Sequence, residues 1–516
     1  MTGADTESMD VLRIEGISKR FGAIQANEGI SMSLGRGEIV ALLGENGAGK
    51  TTLMSILFGH YTPDAGRILI EGRELPLGKP RAAIRAGVGM VHQHFSLAPN
   101  LTVLENVMTG TESLLSPRLR SGAARARLLE IAGRFGLKVN PEARLGDLSV
   151  GEQQRVEILK ALYNQARILI LDEPTAVLTN IEAERLFATL REMARQGLSL
   201  IFISHKLDEV MAAANRIVVL RGGRVVAERR AADTSKAELA ELMVGRQVVR
   251  PRREPSTPGA ELLELRDVSL RESGIDRLRG IDLSLREGEV LGIIGVAGNG
   301  QVALARLLSG TARRTDGEMS LFGRPAGHPG VADLIGMGVG RIPEDRHREG
   351  AIGEMAVWEN VVLEQIDAPG LARHGIVNRS GGMDLARRII TEFDVRGAGP
   401  ATRTRLLSGG NMQKLILGRN LYRKPRILLA AQPARGLDEG AVAAVHARIL
   451  AARSEGTAVL LISEDLDEVM ALADRVQAMV GGRLSPPVDA DHVDARRLGL
   501  MMAGEWAIAE EAANAS

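Results

Sequence analysis

The stretch GENGAGKTT, residues 44–52, combines residue types and a spacing that can hold a phosphate group. It fits the pattern G-x-x-x-x-G-K-[ST], in which the glycines let the backbone approach an anion and the lysine adds a mobile cation. The hydroxyl group that follows the lysine can bind a magnesium ion. We therefore predict a nucleotide-binding loop that consists of Gly44, Glu45, Asn46, Gly47, Ala48, Gly49, Lys50, Thr51 and Thr52.

Two acidic residues, Asp172 and Glu173, follow the apolar run ILIL. At the tip of a strand beside a bound triphosphate, one carboxylate can hold magnesium and a second can polarise an attacking water molecule. The alternative is a pair of surface acids that opens a turn before Pro174, and the phosphate loop in the same chain disfavours it. We predict that Asp172 binds metal together with Thr51, and that Glu173 and Lys50 are catalytic.

Three more side chains are candidates for the same site. Gln93 follows a short apolar segment and can reach the metal ion and the water, so we count it as both catalytic and metal-binding. His205 follows the run LSLIFIS and can contact the terminal phosphate as a catalytic group, although a single histidine is more often structural. Phe21 can stack on adenine and so bind ATP, although an aromatic residue in a loop is commonly a packing residue.

Alternating strands and helices must position these residues. In the first half of the chain, the apolar runs EIVALLG, ILILD, LSLIFIS and RIVVLRG predict buried strands. The segments TTLMSILFG, GEQQRVEILKALYN and IEAERLFATLREMARQ predict helices. The Gly-Gly turn at residues 222–223 predicts a hairpin at the edge of the sheet. This alternation favours an α/β layered fold with a mainly parallel sheet and the phosphate chemistry at its strand C-termini.

The chain is an internal duplication. Residues 13–50 align without gaps with residues 264–301, which lie 251 positions later, and LSVGEQQ at 148–154 matches LSGGNMQ, which lies 259 positions later. We predict a first domain at 1–246, a solvated linker rich in proline and charge at 247–260, a second domain at 261–498 and a tail without an assigned role at 499–516.

The second copy lacks most of the chemical groups of the first. Its LSGG sequence is complete, whereas the first copy has Val150 in place of the first glycine. At the positions that correspond to Lys50, Thr51, Asp172, Glu173, His205 and Phe21, the second copy has Gln301, Val302, Ala431, Gln432, Glu464 and Glu272.

In this order, the phosphate loop, Gln93, LSVGEQQ, ILILDEP and ISHKLDEV resemble the nucleotide-binding domain of an ABC ATPase, and the resemblance covers nearly the whole chain twice. It implies two tandem ABC-type P-loop NTPase domains of the α/β class, each with a mainly parallel sheet, an antiparallel β edge and a helical subdomain, that form an intrachain head-to-tail pseudo-dimer. It implies ATP and Mg²⁺ as cofactors, with each ATP held between the phosphate loop of one domain and the signature sequence of the other. By this resemblance the ATP-binding residues of the second copy are Ser408, Gly409, Gly410 and Gln413.

The two copies complement each other under this arrangement. One composite site pairs the complete first copy with the intact LSGG and should hydrolyse ATP, whereas the other should bind nucleotide weakly or without turnover. Simple decay of the second copy is the alternative, but random decay would not spare the one motif that the first site needs. One departure from the family pattern is Thr179, where the family usually has an aspartate and the second copy has Asp438.

Further motifs narrow the resemblance to one group within the ABC ATPases. IPEDR at residues 342–346, LSGGNMQK and QPARGLD are similar to the ATP-binding subunits of bacterial simple-sugar importers, and VHQHFSL and GVAGNGQ favour the branch that serves purine nucleosides. This resemblance implies two transmembrane permease subunits and an extracytoplasmic solute-binding lipoprotein as partners. Import of pentoses or hexoses remains the alternative. A soluble tandem ABC protein that acts on ribosomes or nucleic acid is disfavoured by Gln301 and by the short linker, and a scaffold without hydrolysis is disfavoured by Glu173.

Composition excludes several other classes. The chain of 516 residues has 65 Lys plus Arg and 64 Asp plus Glu, and this balance gives no electrostatic indication of nucleic-acid binding. It has no cysteine, which excludes disulfides and fits a reducing compartment. It also has neither a secretory signal nor the run of about 18 apolar residues that a membrane span needs. Composition therefore predicts a soluble cytoplasmic protein, and the resemblance implies a peripheral position at the cytoplasmic face of the cell membrane, through permeases alone.

Overall fold

The computed structural model describes residues 10–22, 24–92, 96–111, 121–175, 178, 180–204, 206–245, 251–366, 368–374 and 376–505. The chain forms two compact units, with residues 1–248 in the first and most of residues 249–516 in the second. The two units are referred to below as the first and the second domain.

The first domain alternates strands and helices as the sequence predicts. Its strands are β1 Asp10–Phe21, β2 Ile24–Gly35, β3 Ile39–Leu43, β4 Ala65–Ile70, β5 Arg73–Glu74, β6 Val88–Val91, β7 Ile168–Asp172, β8 Ser199–Ile203, β9 Arg216–Arg221 and β10 Arg224–Arg230. Its helices are α1 Lys50–Phe58, α2 Pro80–Arg85, α3 Val103–Met108, α4 Ser121–Arg134, α5 Val150–Tyr163, α6 Asn180–Arg195, α7 Leu207–Ala213 and α8 Lys236–Val244.

Two sheets build the first domain. The larger sheet has the order β10-β9-β3-β8-β7-β6, in which β9, β3, β8, β7 and β6 run parallel and β10 forms the predicted antiparallel hairpin with β9. The smaller sheet, β2-β1-β4-β5, is antiparallel. Helices α3, α4 and α5 contact one another and form a helical subdomain. The mainly parallel sheet, the antiparallel edge and the helical subdomain are all as expected.

The strands of the larger sheet read as unbroken apolar runs because both of their faces are covered. Along β7, Ile168 and Ile170 pack in the same core cluster as residues of α1. Leu169 and Leu171 pack in the opposite cluster with residues of α5 and α6. A parallel sheet buried on both faces has this pattern, and it directs the ends of β3, β7 and β8 toward one edge.

The second domain repeats this architecture. Its strands are β11 Glu261–Glu272, β12 Ile275–Arg286, β13 Val290–Ile294, β14 Asp316–Leu321, β15 Arg324–Pro325, β16 Val339–Ile342, β17 Ala372–Arg373, β18 Ile376–Val377, β19 Ile427–Ala431, β20 Ala458–Ser463, β21 Arg475–Val480, β22 Arg483–Leu484 and β23 Val488–Asp489. Its helices are α9 Gln301–Leu308, α10 Val331–Gly336, α11 Val357–Val362, α12 Arg379–Glu392, α13 Gly409–Leu421, α14 Glu439–Ser454, α15 Leu466–Leu472 and α16 Ala495–Met502. The main sheet has the order β16-β19-β20-β13-β21-β22, and the strands from β16 to β21 are parallel.

Two parts of the second domain differ from the sequence prediction. Arg253, in the segment predicted to be a solvated linker, is largely buried, and its Nη1 atom lies 3.0 Å from Oδ1 of Asp474. Arg453 donates to the same carboxylate and, at 2.9 Å, to the carbonyl of Glu254, so this segment is bound to the second domain. Helix α16 crosses the predicted boundary at residue 498, and Leu498 lies in the core.

Candidate active site

The predicted phosphate loop connects the end of β3 to the start of α1. A Cβ atom at Gly44 would lie 2.2 Å from the carbonyl oxygen of Leu220. Gly49 has φ of +95°, and a Cβ there would lie 2.2 Å from the carbonyl oxygen of Ala26. Only glycine fits these two positions, so the loop presents backbone amides at the N-terminus of a helix, an arrangement that suits a phosphate.

Lys50 lies at the first turn of α1 with only 6% of its surface exposed. Its Nζ atom donates to the carbonyl oxygen of Gly44 at 2.7 Å and to that of Glu45 at 2.9 Å. Burial lowers the pKa of Lys50, whereas the negative charges of Glu173 and Asp172 oppose this effect. The structure thus brings together the lysine and both acids that the sequence assigned to one site.

Asp172, the last residue of β7, is 6% exposed and accepts a hydrogen bond from the side chain of Thr51. Burial and the neighbouring charge of Glu173 raise the pKa of Asp172 to about 6. A carboxylate and a hydroxyl oxygen in contact match the oxygen ligands that Mg²⁺ prefers, and a cation would relieve the cost of the buried negative charge. The residues present therefore fit a magnesium ion at Thr51 and Asp172.

Glu173 follows β7 in an unusual backbone conformation. Its φ is +46°, and its amide donates to the carbonyl oxygen of Ile203 at 3.0 Å. Left-handed φ values are strained for a side chain of this size and are common at functional sites. The corresponding residue of the second domain, Gln432, has φ of +49° and donates to Ile462 at 2.8 Å. Both domains keep the same backbone geometry, and only the side chain differs.

Asn27 supports the phosphate loop, and the sequence analysis missed it. This residue of β2 is fully buried, and its Nδ2 atom donates to the carbonyl oxygen of Gly49 at 3.0 Å. The corresponding residue of the second domain is Leu278, which cannot form this bond. The signal that could have identified Asn27 is its alignment with an apolar residue in the second copy of the repeat.

Phe21 lies at the end of β1 with 41% of its surface exposed. Its ring meets that of Tyr61 edge to face at a centroid distance of 5.3 Å. Its role in stacking on adenine remains a prediction. Gln93 and His205 lie outside the described residues, so their predicted roles also remain predictions, and Thr179 lies outside them as well.

The signature sequence of the second domain opens helix α13, with Ser408 at the N-cap. The role of Gln413 in binding ATP remains a prediction. This side chain is 2% exposed and donates to the carbonyl oxygen of Pro433 at 2.8 Å, so it faces the protein interior. Gln154 makes the same contact with Pro174 in the first domain. In both domains this glutamine thus forms a hydrogen bond between the signature helix and the loop that follows β7 or β19.

The two signature helices begin differently. In the first domain, Glu152 and Ser149 form a capping box, and the carboxylate accepts from the Ser149 amide at 2.9 Å. The hydrogen bonds from Ser149 hold the pKa of Glu152 below its ordinary value, which keeps a negative charge at the start of α5. In the second domain, Asn411 replaces this acid, and its Nδ2 donates to the Ser408 hydroxyl at 2.9 Å. The start of α13 therefore suits an anion better than the start of α5.

Gly409 lies close to a neighbouring arginine. A Cβ atom at Gly409 would lie 3.2 Å from Nη2 of Arg346, closer than most real contacts of this kind. The guanidinium group is held there because Nη1 donates to the carbonyl oxygen of Arg435 at 2.8 Å. The first domain has Val150 at the position of Gly409.

The second domain keeps the shape of the phosphate loop without its charge. Gln301 opens α9, and its Nε2 atom donates to the carbonyl oxygen of Val296 at 3.0 Å. Lys50 contacts the corresponding carbonyl, that of Glu45, in the first domain. A neutral amide thus replaces the cation in the same local position, and this loop lacks the charge that binds the outer phosphates.

Comparison with known proteins agrees with this site. The ABC transporter family matches residues 27–176 and 278–435. The chain belongs to the ABC transporter family, and it binds and hydrolyses ATP.

Three relatives match along nearly the whole chain. The nucleoside import ATP-binding protein NupA of Lactococcus lactis is 41% identical over 496 residues, which cover 96% of this chain and 98% of the relative. The guanosine import ATP-binding protein NupO of Bacillus subtilis is 41% identical, with 96% of this chain and 97% of the relative covered. The glucose import ATP-binding protein TsgD13 of Haloferax volcanii is 42% identical, with 96% of each chain covered.

Across the described ranges, none of the helices is both long and apolar enough to cross a membrane.

Proposed function

We propose that this chain energises a bacterial importer of nucleosides and that a single composite site hydrolyses ATP. The observation that carries this proposal is the asymmetry between the domains. The first domain brings Lys50, Asp172 and Glu173 together, whereas the second has Gln301, Ala431 and Gln432 at those positions.

In the proposed site, the amides of the phosphate loop and Lys50 bind the β- and γ-phosphates of ATP. Asn27 keeps the loop in shape through its bond to Gly49. Thr51 and Asp172 hold Mg²⁺, with Gln93 as a further ligand. The ion supplies charge neutralisation on the phosphate oxygens.

Glu173 polarises the water that attacks the γ-phosphate. Its carboxylate follows the end of β7 directly, so it lies beside the metal ligand Asp172 and next in the chain to it. His205 donates a hydrogen bond to the γ-phosphate and so orients the reacting group. Phe21 stacks on the adenine ring from the end of β1.

The signature of the second domain completes this site in a head-to-tail arrangement of the two domains. Ser408, Gly409 and Gly410 at the start of α13 face the γ-phosphate of the ATP that the first domain holds. The absence of an acidic residue from the first turn of α13 supports this assignment, and the carboxylate of Glu152 at the start of α5 argues against a matching role for the first signature. The second composite site then holds nucleotide weakly or without turnover.

The solute is proposed to be a nucleoside. NupA and NupO, relatives that are each 41% identical, are nucleoside and guanosine import proteins, and the segments VHQHFSL and GVAGNGQ favour the same branch. TsgD13, a glucose import protein at 42% identity, supports simple sugars as the second candidate. The proposed partners are two transmembrane permeases and an extracytoplasmic solute-binding lipoprotein, which place this chain at the cytoplasmic face of the cell membrane as a peripheral subunit.

Uptake of labelled solutes tests this assignment. Cells with the gene, cells without it and cells that carry Glu173→Gln are given labelled guanosine, adenosine, ribose and glucose in parallel. We expect nucleoside uptake to be lost in the second and third strains, with sugar uptake unchanged. Loss of sugar uptake alone would overturn the nucleoside assignment and favour the second candidate.

A further inference from the structure

The carboxylate of Glu209 connects two loops at the edge of the sheet that carries the active site. Glu209 lies in the first turn of α7 and is 9% exposed. Its Oε1 atom accepts from the Thr175 hydroxyl at 2.5 Å, and its Oε2 atom accepts from the Ser204 hydroxyl at 2.8 Å. The Nζ atom of Lys206 lies 3.3 Å from Oε1. One buried side chain thus contacts the loop after β7 and the end of β8.

These two contacts fall beside the residues proposed to do the chemistry. Thr175 is two positions after Glu173, in the same loop. Ser204 immediately precedes His205 in the chain. Because Glu173 has a strained backbone with φ of +46°, its conformation must be held by the surrounding structure. A hydroxyl anchored two residues further along is placed to supply that support.

The second domain provides an internal comparison. Its equivalent carboxylate, Glu468, is also buried and accepts from the Ser463 hydroxyl at 2.6 Å, just as Glu209 accepts from Ser204. The position of Thr175, however, is occupied by Ala434, which has no hydroxyl group. The other oxygen of Glu468 lies 3.2 Å from Nε2 of His446 on α14. The contact with the loop after the strand has therefore been replaced in the domain that lacks the catalytic side chains.

This comparison separates a role in folding from a role in catalysis. A buried carboxylate needs polar partners, and both domains provide them. The partner on α14 shows that the requirement can be met without any bond to the loop after the strand. The bond from Thr175 is therefore not needed to bury the carboxylate, and it occurs in the domain that has Glu173.

We propose that Glu209 is a positioning residue for ATP hydrolysis, and that through Thr175 and Ser204 it fixes the loop that carries Glu173 to the end of β8. This inference rests on the proposed role of Glu173. Glu209 does not touch the reacting atoms. It acts by holding the water-polarising carboxylate in place, and small displacements of such groups have large kinetic costs.

The test uses single-turnover and steady-state ATPase assays on full-length chains. Thr175→Val removes the hydroxyl with little change of shape, and we expect kcat to fall about tenfold or more while KM for ATP changes less than about twofold. Thr175→Ser restores the hydroxyl and should restore kcat. The matched control is Ser463→Ala, which removes one bond from the equivalent carboxylate of the second domain. We expect this control to lower the melting temperature about as much as Thr175→Val does, with kcat unchanged.

A double-mutant cycle tests the connection itself. Because Thr175 and Ser204 act through one carboxylate, the combination of Thr175→Val with Ser204→Ala should cost clearly less than the product of the two single effects. Glu209→Gln can still accept from one hydroxyl and donate to the other, so it should retain more activity than Glu209→Ala.

Wild-type turnover in Thr175→Val, an equal loss in Ser463→Ala, or independent effects in the cycle would overturn the inference. Glu173→Gln is assayed alongside. If that variant stays active, the proposed function itself fails. If it is inactive while Thr175→Val is normal, only the role of Glu209 fails.

Discussion

The two domains have the same backbone geometry at corresponding positions of the site but carry different side chains there. The residue after the strand has φ of +46° at Glu173 and +49° at Gln432, and both amides bond to the neighbouring strand. The side chains that open α1 and α9, Lys50 and Gln301, donate to corresponding loop carbonyls. The shape of a phosphate site is therefore kept in a domain that has lost the charges. Loop geometry alone does not distinguish a hydrolytic domain from a degenerate one.

At the start of the signature helix, in contrast, it is the second domain that is better suited to an anion. The first domain has all of the proposed catalytic residues but places the carboxylate of Glu152 at the start of α5. The second domain lacks the catalytic set but begins α13 without an acidic residue in its first turn. Each domain thus retains one half of what the proposed composite site requires. The predictions below test this complementarity.

The largest effect is expected from Glu173→Gln. Loss of the carboxylate proposed to polarise the attacking water should reduce ATP turnover by at least about 100-fold, while ATP still binds. The matched control is Gln432→Glu, which introduces the acid at the corresponding position of the second domain. We expect that variant to show no gain, because Gln301 and Ala431 still leave that domain without its lysine and its metal ligand. Steady-state ATPase rates and binding of a fluorescent ATP analogue measure both. Turnover above about one tenth of wild type in Glu173→Gln would contradict the assignment.

Substitution of the signature serines tests the head-to-tail pairing. Ser408→Arg places a bulky cation at the start of α13, where its charge is also unfavourable near the helix N-terminus, and should lower kcat by about 10-fold or more. Ser149→Arg makes the same change at the start of α5 and should have less than about a threefold effect, although it breaks a capping box that α13 does not have. Melting temperatures of both variants serve as the control for folding. Equal losses of turnover would show that the domains do not pair as proposed.

A smaller effect is expected from Gly409→Val, which gives the second signature the residue found in the first. The Cβ atom would lie 3.2 Å from Nη2 of Arg346, so the guanidinium group must shift and the signature loop with it. We expect a loss of turnover of about threefold to tenfold, in the range for moderate misplacement of a binding group. The double variant with Arg346→Phe should recover part of the lost melting temperature, because it removes the atom that the valine meets. The reverse change, Val150→Gly, should leave turnover within about twofold of wild type. A stable, fully active Gly409→Val protein would refute the steric argument.

Local patterns predicted much of this fold and site. The strands β3, β7 and β8 and the helices α1 and α5 lie where the apolar runs and helical patterns of the sequence predict them. The contacts that local patterns could not reveal join residues far apart in the chain. Asn27 reaches Gly49 from a strand, and Gln413 turns inward to Pro433 although its motif suggested a ligand contact.

The segment predicted as a linker shows the same limit of local sequence patterns. Arg253 looked solvated because its neighbours are proline and charged residues, but its partner Asp474 lies 221 positions away. A charged residue in a polar segment can be buried by a partner that no local window contains. The composition of a segment therefore predicts the exposure of a charged residue only when no distant residue pairs with it.

The smallest expected effect concerns stability rather than turnover. Burial and the charge of Glu173 raise the pKa of Asp172 to about 6 from an ordinary value of 3.8. The folded protein therefore binds this proton more tightly than the unfolded chain, and its free energy of unfolding falls as the pH rises from about 4 to about 6. In nucleotide-free and metal-free protein at pH 7.5, Asp172→Asn should raise the free energy of unfolding by up to about 3 kcal/mol, at about 1.4 kcal/mol per pKa unit. The gain should shrink toward zero near pH 4.

Urea unfolding of the first domain at pH 4.5 and at pH 7.5 measures the difference. Addition of Mg²⁺ and a non-hydrolysable ATP analogue provides the control, because bound ligand should stabilise the wild type more than the variant. If the variant is less stable than wild type at pH 7.5, other groups in the protein must already offset the cost of the buried Asp172 charge when neither nucleotide nor metal is bound. In that case the buried acid would contribute to folding in the first domain, and its replacement by Ala431 in the second would need an explanation other than loss of a metal ligand.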